Sequence, residues 1–174
     1  MAEAPQTPPE GAASQAQEAP RLTIQSQYVK DLSFENPNAP KSLEAGGARP
    51  EIQIRVDVRV QSESETRHEV VLHLNIEARA AGNPTFMLEL SYAGLFGLLN
   101  IPADSRQAIL LIECPRMLFP FARRIVADTV RDGGFPPLMI EPIDFAGLYR
   151  RRLQEQAAAG AASGAGGDGG PTVN

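Results

Sequence analysis

The sequence predicts an α+β domain: a four-stranded antiparallel sheet with helices packed on one face. Three observations predict it. The first half of the 174-residue chain holds four runs that alternate apolar and polar residues. The second half changes to helical spacing. The two ends carry neither pattern and contain no Lys or Arg.

Residues 1–20 are rich in Ala, Pro, Gln and Glu, and residues 157–174 are rich in Gly and Ala. Neither stretch has the apolar area to offset backbone entropy, so both are expected to be disordered. One folded unit is expected over 21–156.

The first strand is "RLTIQSQYVKDLSFE" (21–35), with Leu22, Ile24, Tyr28, Leu32 and Phe34 on the even side and mostly polar residues on the odd side. "SFENPNAP" (33–40) ends it: Pro37 and Pro40 bias the residues before them away from helix, so the chain leaves the sheet extended. "EIQIRVDVRV" (51–60) sets Ile52, Ile54, Val56, Val58 and Val60 against Gln53, Arg55, Asp57 and Arg59. "EVVLHLNIEARA" (69–80) sets Val70, Leu72, Leu74, Ile76 and Ala78 against His73, Asn75, Glu77 and Arg79. "TFMLELSY" (85–92) sets Phe86, Leu88, Leu90 and Tyr92 against Met87, Glu89 and Ser91, after a hairpin loop in "AAGNPT". Period two with one polar side means a sheet packed on one face and wet on the other.

In the second half, Asp104 followed by Gln107 has the spacing of a capping box. "QAILLIECPRMLFPFARRIVADTVRDGG" then runs to a glycine stop, with Pro115 and Pro120 expected to divide it into two helices. Phe119, Ala122, Ile125, Val126, Thr129 and Val130 share a face of the second piece. A last helix is expected after Asp144 as N-cap, with Phe145, Leu148, Tyr149 and Leu153 as its apolar stripe. "AILLIE" (108–113) is apolar nearly all round, which points to a subunit interface.

Several classes of function find no support. The formal charge is -5, and four acids in the two ends account for most of it, so the middle is near neutral and has no basic footprint for nucleic acid. No apolar run approaches the roughly 20 residues that span a membrane. The first residues lack a basic start and an apolar core, so a cytosolic protein is expected. Cys114, the single cysteine, excludes an internal disulfide and reads as a buried inert thiol. His68 and His73 have no third ligand at metal spacing and read as surface histidines. On spacing alone the carboxylates at 31, 35 and 89, with Val29 and Met87, are an ordinary charged sheet face.

Four segments together resemble one family, the SecB protein-export chaperones of bacteria: "YVKDLSFENPNAP" (28–40), "FMLELSYAGLFGL" (86–98), "CPRMLFPFARRIV" (114–126) and "GGFPPLMIEPIDFAGLY" (133–149). The similarity covers about 22–155. It implies a homotetramer, assembled as a dimer of dimers, with no cofactor and no enzymatic activity. Unfolded precursor proteins would be held in hydrophobic grooves and passed to the motor ATPase SecA.

Carried over by position, the resemblance assigns SecA contact to Asp31, Glu35, Met87 and Glu89. The client groove would be lined by the 36–51 loop, nearby strand residues and the last helix, with Phe34, Leu43, Ile52, Ile54, Phe96, Met139, Phe145 and Tyr149 as candidates that also suit a plain core. Leu88, Leu90, Tyr92, Ile109 and Ile112 are the candidate subunit contacts. A SecB-like chaperone dedicated to one client such as an antitoxin is the alternative.

Overall fold

The computed structural model describes residues 19–44 and 49–164. Four strands form one antiparallel sheet: β1 (Arg21–Glu35), β2 (Glu51–Ser62), β3 (Arg67–Ala80) and β4 (Asn83–Leu99). The spatial order is β1-β4-β3-β2, so β1 and β2 are the edges. The β3–β4 connection is tighter than the expected loop. Ala81 and Gly82 alone make it, with φ of 49° and 81°, the left-handed pair that matches the twist of a two-residue hairpin.

Helices α1 (Ala103–Ala108), α2 (Cys114–Asp132) and α3 (Phe145–Gly164) follow. The core lies between α2 and one sheet face: Leu72, Leu74, Ile76, Leu88, Leu90 and Phe96 meet Leu118, Ala122, Val126 and Val130, and Phe145 of α3 closes one end. The α+β architecture is thus the one the alternation predicts, because the even residues of β2, β3 and β4 all fall on this inner face.

β1 departs from simple alternation. Its register against β4 shifts between Ile24 and Ser26, and again between Val29 and Asp31. Each bulge adds one residue and reverses the parity beyond it. Between the bulges Val29 pairs with Tyr92 and turns inward, while Tyr28 pairs with Ala93 and turns outward, the reverse of the expectation. The second bulge restores the frame, so Leu32 and Phe34 face in and Asp31 and Glu35 face out. The outward Tyr28 donates its hydroxyl hydrogen to Glu69 Oε1 at 2.5 Å, and Lys30 Nζ bonds Glu69 Oε2 at 2.7 Å.

The helical half differs in three ways. No capping box forms: Pro102 precedes α1 and Asp104 lies in its first turn with no side-chain cap bond. The two prolines do not break the rod, which stays helical from Ala103 to Asp132 through a wide π turn at Ile109–Glu113. That turn lies where the ring of Pro115 would crowd the carbonyl of Leu111. Pro120 is on the exposed side of α2, where a freed carbonyl can turn to water. Third, α3 continues past Gln156 to Gly164, carried by alanines, the best helix formers. Its start is as expected: Asp144 Oδ1 accepts the Gly147 N–H at 2.9 Å. Residues 1–18 and 165–174 of the two expected tails lie outside the described residues.

Candidate functional site

A pocket of about 850 Å³ opens where β1 leaves the sheet, between the 36–44 loop, the β3–β4 turn and the 135–139 segment. Phe34, Phe86 and Phe135 form an aromatic cluster here, with ring centroids 5.7 Å, 5.0 Å and 6.5 Å apart. Gly133 admits the Phe34 ring: a Cβ on it would stand 2.3 Å from Phe34 Cζ. The two asparagines of "SFENPNAP" fix the loop. Asn36 Oδ1 accepts from Ser42 Oγ at 2.7 Å, and Asn38 Nδ2 donates to the Pro84 carbonyl at 2.7 Å. Ile52 and Met139 line the pocket, and Leu43 packs over Gly134. All three are exposed, Met139 most of all at 58%.

A second groove runs between edge strand β2 and α3, as adjoining cavities of about 790 and 400 Å³ that share Val56, Leu148 and Arg151. Ile54 lines the larger and Tyr149 the smaller. Arg152 Nη1 donates to the Val58 carbonyl at 2.9 Å and ties α3 to the strand. Of the groove candidates, Phe96 and Phe145 are not surface: they are 0% and 1% exposed and belong to the core. Helical and strand spacing mark an apolar face but do not tell its covered part from its open part.

The expected subunit contacts divide in the same way. Leu88, Leu90 and Tyr92 are buried within this chain, because α2 packs on them; as interface residues they are corrected to core. Ile109 and Ile112 are half-buried. The open apolar surface lies beside them: Ile24, Val29 and Leu32 on β1, and Met117 and Phe121 on α2, each about two-fifths exposed. Tyr92 joins the two sets, paired with Val29 and stacked on Phe121 at 6.4 Å. Sequence reading missed Met117 and Phe121, although their spacing of four was a signal for a second apolar stripe on α2.

On the outer face, Asp31 pairs with Ser91, Ser33 with Glu89 and Glu35 with Met87. Asp31, Glu35, Met87 and Glu89 therefore stand on one side of two adjacent strands. Asn75 Nδ2 bonds Glu89 Oε1 at 2.6 Å. Farther across the sheet Asp57 pairs with Arg59 at 3.0 Å and Glu77 with Arg79, whereas among the described residues Asp31, Glu35 and Glu89 form no ion pair. His73, beside this face, bonds Ser91 Oγ through Nδ1 at 2.9 Å. Burial, then the charge of Arg59, lowers its pKa, so it stays neutral beside the carboxylates.

His68 is not a surface histidine: it faces inward, 6% exposed, with Nδ1 2.9 Å from Ser62 Oγ. Cys114 is fully buried, and burial pushes its thiol up to about 12. Among the described residues no cluster of His, Cys, Asp or Glu has metal-site geometry, and no helix is long and apolar enough to cross a membrane.

Open apolar grooves beside an acidic face without ion pairs are surfaces suited to a chaperone that holds other polypeptides. The comparisons with known proteins agree. The family model described as preprotein translocase subunit SecB matches residues 15–156, and the chain belongs to the SecB family of protein-export chaperones. It is 52% identical over 173 residues to the protein-export protein SecB of Maricaulis maris, covering 99% of both chains. It is 57% identical over 146 residues to that of Parvibaculum lavamentivorans, covering 84% of this chain and 87% of the relative. In fold it is similar to the SecB-like chaperone of Mycobacterium tuberculosis, solved with a peptide from the HigA1 antitoxin. There the TM-score is 0.59 at 16% identity, over 71% of this chain and 91% of that one.

Proposed function

We propose that this protein is a cytoplasmic, ATP-independent holdase that binds unfolded precursors in its grooves, works as a homotetramer and delivers its cargo to SecA. The observation that carries the reading is the continuity of core and surface. The inner sheet face that packs the core runs on, at Ile52 and Ile54, into open groove at 38% and 37% exposure. An unfolded chain laid there buries apolar area at about 25 cal/mol per Å² before ordering costs. Several weak subsites along one chain gain by avidity.

Phe34, Leu43, Ile52 and Met139 serve the first groove, and Ile54 and Tyr149 the second. The β1–α2 flank with Ile109 and Ile112 serves assembly: left open, such a surface would aggregate. Asp31, Glu35 and Glu89, with Met87, present carboxylates without an ion pair to a basic face of SecA. General export cargo is favoured over a single antitoxin client because the relatives at 52% and 57% identity are protein-export proteins, whereas the antitoxin-bound neighbour shares only 16%. The test is refolding of a slow-folding precursor without nucleotide. The protein is expected to delay it at stoichiometric amounts, and an unchanged refolding rate contradicts the reading.

A further inference from the structure

We infer that Met139 is a modification site: oxidation of its thioether to the sulfoxide by hydrogen peroxide loosens the aromatic pocket's hold on apolar client segments. This deepens the proposed client reading and rests on it. The chain has four methionines and one cysteine. Cys114 is 0% exposed, and burial pushes its thiol up to about 12, which leaves almost no reactive thiolate at neutral pH. Met87 is half-buried on the outer sheet face, and Met117, 39% exposed, lies on the β1–α2 flank that serves assembly. Met1 lies outside the described residues. Met139 is 58% exposed and lines the pocket of about 850 Å³ with Ile52, Phe86 and Phe135. Ile140, the next residue, is 4% exposed and anchors the segment in the core, so the Met139 sulfur is held at the pocket and open to solvent.

The chemistry is a two-electron oxygen transfer. A sulfur lone pair attacks one peroxide oxygen, and the S–O bond forms as the O–O bond breaks. The proton left on the transferred oxygen passes to the departing hydroxide, giving sulfoxide and water. The thioether is oxidised and the peroxide reduced. The product sets a hydrogen-bond acceptor where a soft apolar group stood. Water solvates it while the pocket is empty. An apolar client side chain laid over it strips that water and leaves the acceptor without a donor, which weakens binding. Sulfoxide reductases reverse the step, so the change is reversible.

The experiment uses the full chain and a labelled peptide of about a dozen residues with a Leu/Phe centre and no Met, Cys or Trp. The protein is treated with graded hydrogen peroxide, catalase removes the excess, and a peptide map by mass spectrometry reads the added oxygen on each methionine separately. Met139 is expected to gain oxygen before Met87 and Met117, and peptide affinity to fall with it, by about fivefold when oxidation is complete. Methionine sulfoxide reductases should restore both. Met139→Leu, compared with itself before and after peroxide, should lose the dependence. Affinity that is unchanged at full Met139 oxidation, as when Lys41 or Arg49 of the same lining donates to the sulfoxide, overturns the inference and spares the client reading. So does a loss that follows another methionine, or one that persists in Met139→Leu. If the untreated protein does not bind the peptide, the client reading fails and this inference with it.

Discussion

Glu69 stands on the outer sheet face with its side chain 10% exposed, held by Lys30 and by the Tyr28 hydroxyl. The bond from Lys30, then that from Tyr28, hold its carboxyl below the usual carboxylate range, while the same contact pushes Tyr28 up to about 12. A carboxylate with a depressed folded-state pKa adds stability above its unfolded pKa of about 4.3 and loses it as pH falls through the folded value. Lys30 is half exposed, which limits the ion pair itself. Glu69→Gln is therefore expected to cost about 1 kcal/mol at pH 7, or about 3 °C in Tm. The difference should persist to about pH 5 and shrink below pH 4. Thermal melts from pH 7 to pH 3 check this; a gap that stays constant across the range speaks against ionised Glu69 as the cause. Nothing in "QSQYVKD" announces this arrangement. Tyr28 falls in phase with Leu22 and Leu32, and only the two bulges turn it over.

Among the elements, β2, β3 and β4 were legible because an unbroken period of two survives wherever one face must be dry. β1 was legible as a strand but not in parity, since a bulge leaves composition untouched while reversing the frame. The rod of α1 and α2 was misread because proline chemistry is local, whereas the wide turn that accommodates Pro115 depends on packing. The end of α2 shows packing deciding a residue type. Gly133 has φ of -72°, a conformation open to any residue, so its requirement is space for Phe34. Gly133→Ala should displace that ring, at a cost of about 1–3 kcal/mol, and disturb the aromatic pocket. The midpoint of urea unfolding reads the cost. A midpoint equal to wild type would mean that Phe34 moves aside freely and does not set the pocket floor.

At the scale of the whole molecule, opposite faces of one sheet differ in character. The inner face becomes core and then groove. The outer face presents carboxylates that Arg59 and Arg79 do not neutralise. Candidate site residues were only partly legible for the same reason: alternation assigns Ile54 and Phe96 to the same apolar side, and only the position of the helices decides that one is open and the other enclosed. Charge reversal at Asp31 or Glu89 should weaken SecA binding several-fold, more at low salt, with tetramer mass unchanged. Titration by light scattering or calorimetry at two salt concentrations checks it, and unaltered affinity in both variants would remove the outer face from the docking surface.

Holding unfolded chains is the central claim, and native mass spectrometry tests it most directly, on the protein alone and after mixing with a denatured precursor. The account predicts a tetramer of the 18.7 kDa chain that shifts by the mass of one bound precursor without nucleotide and ignores the same precursor once folded. A monomer, or a tetramer whose mass the unfolded precursor leaves unchanged, would contradict it.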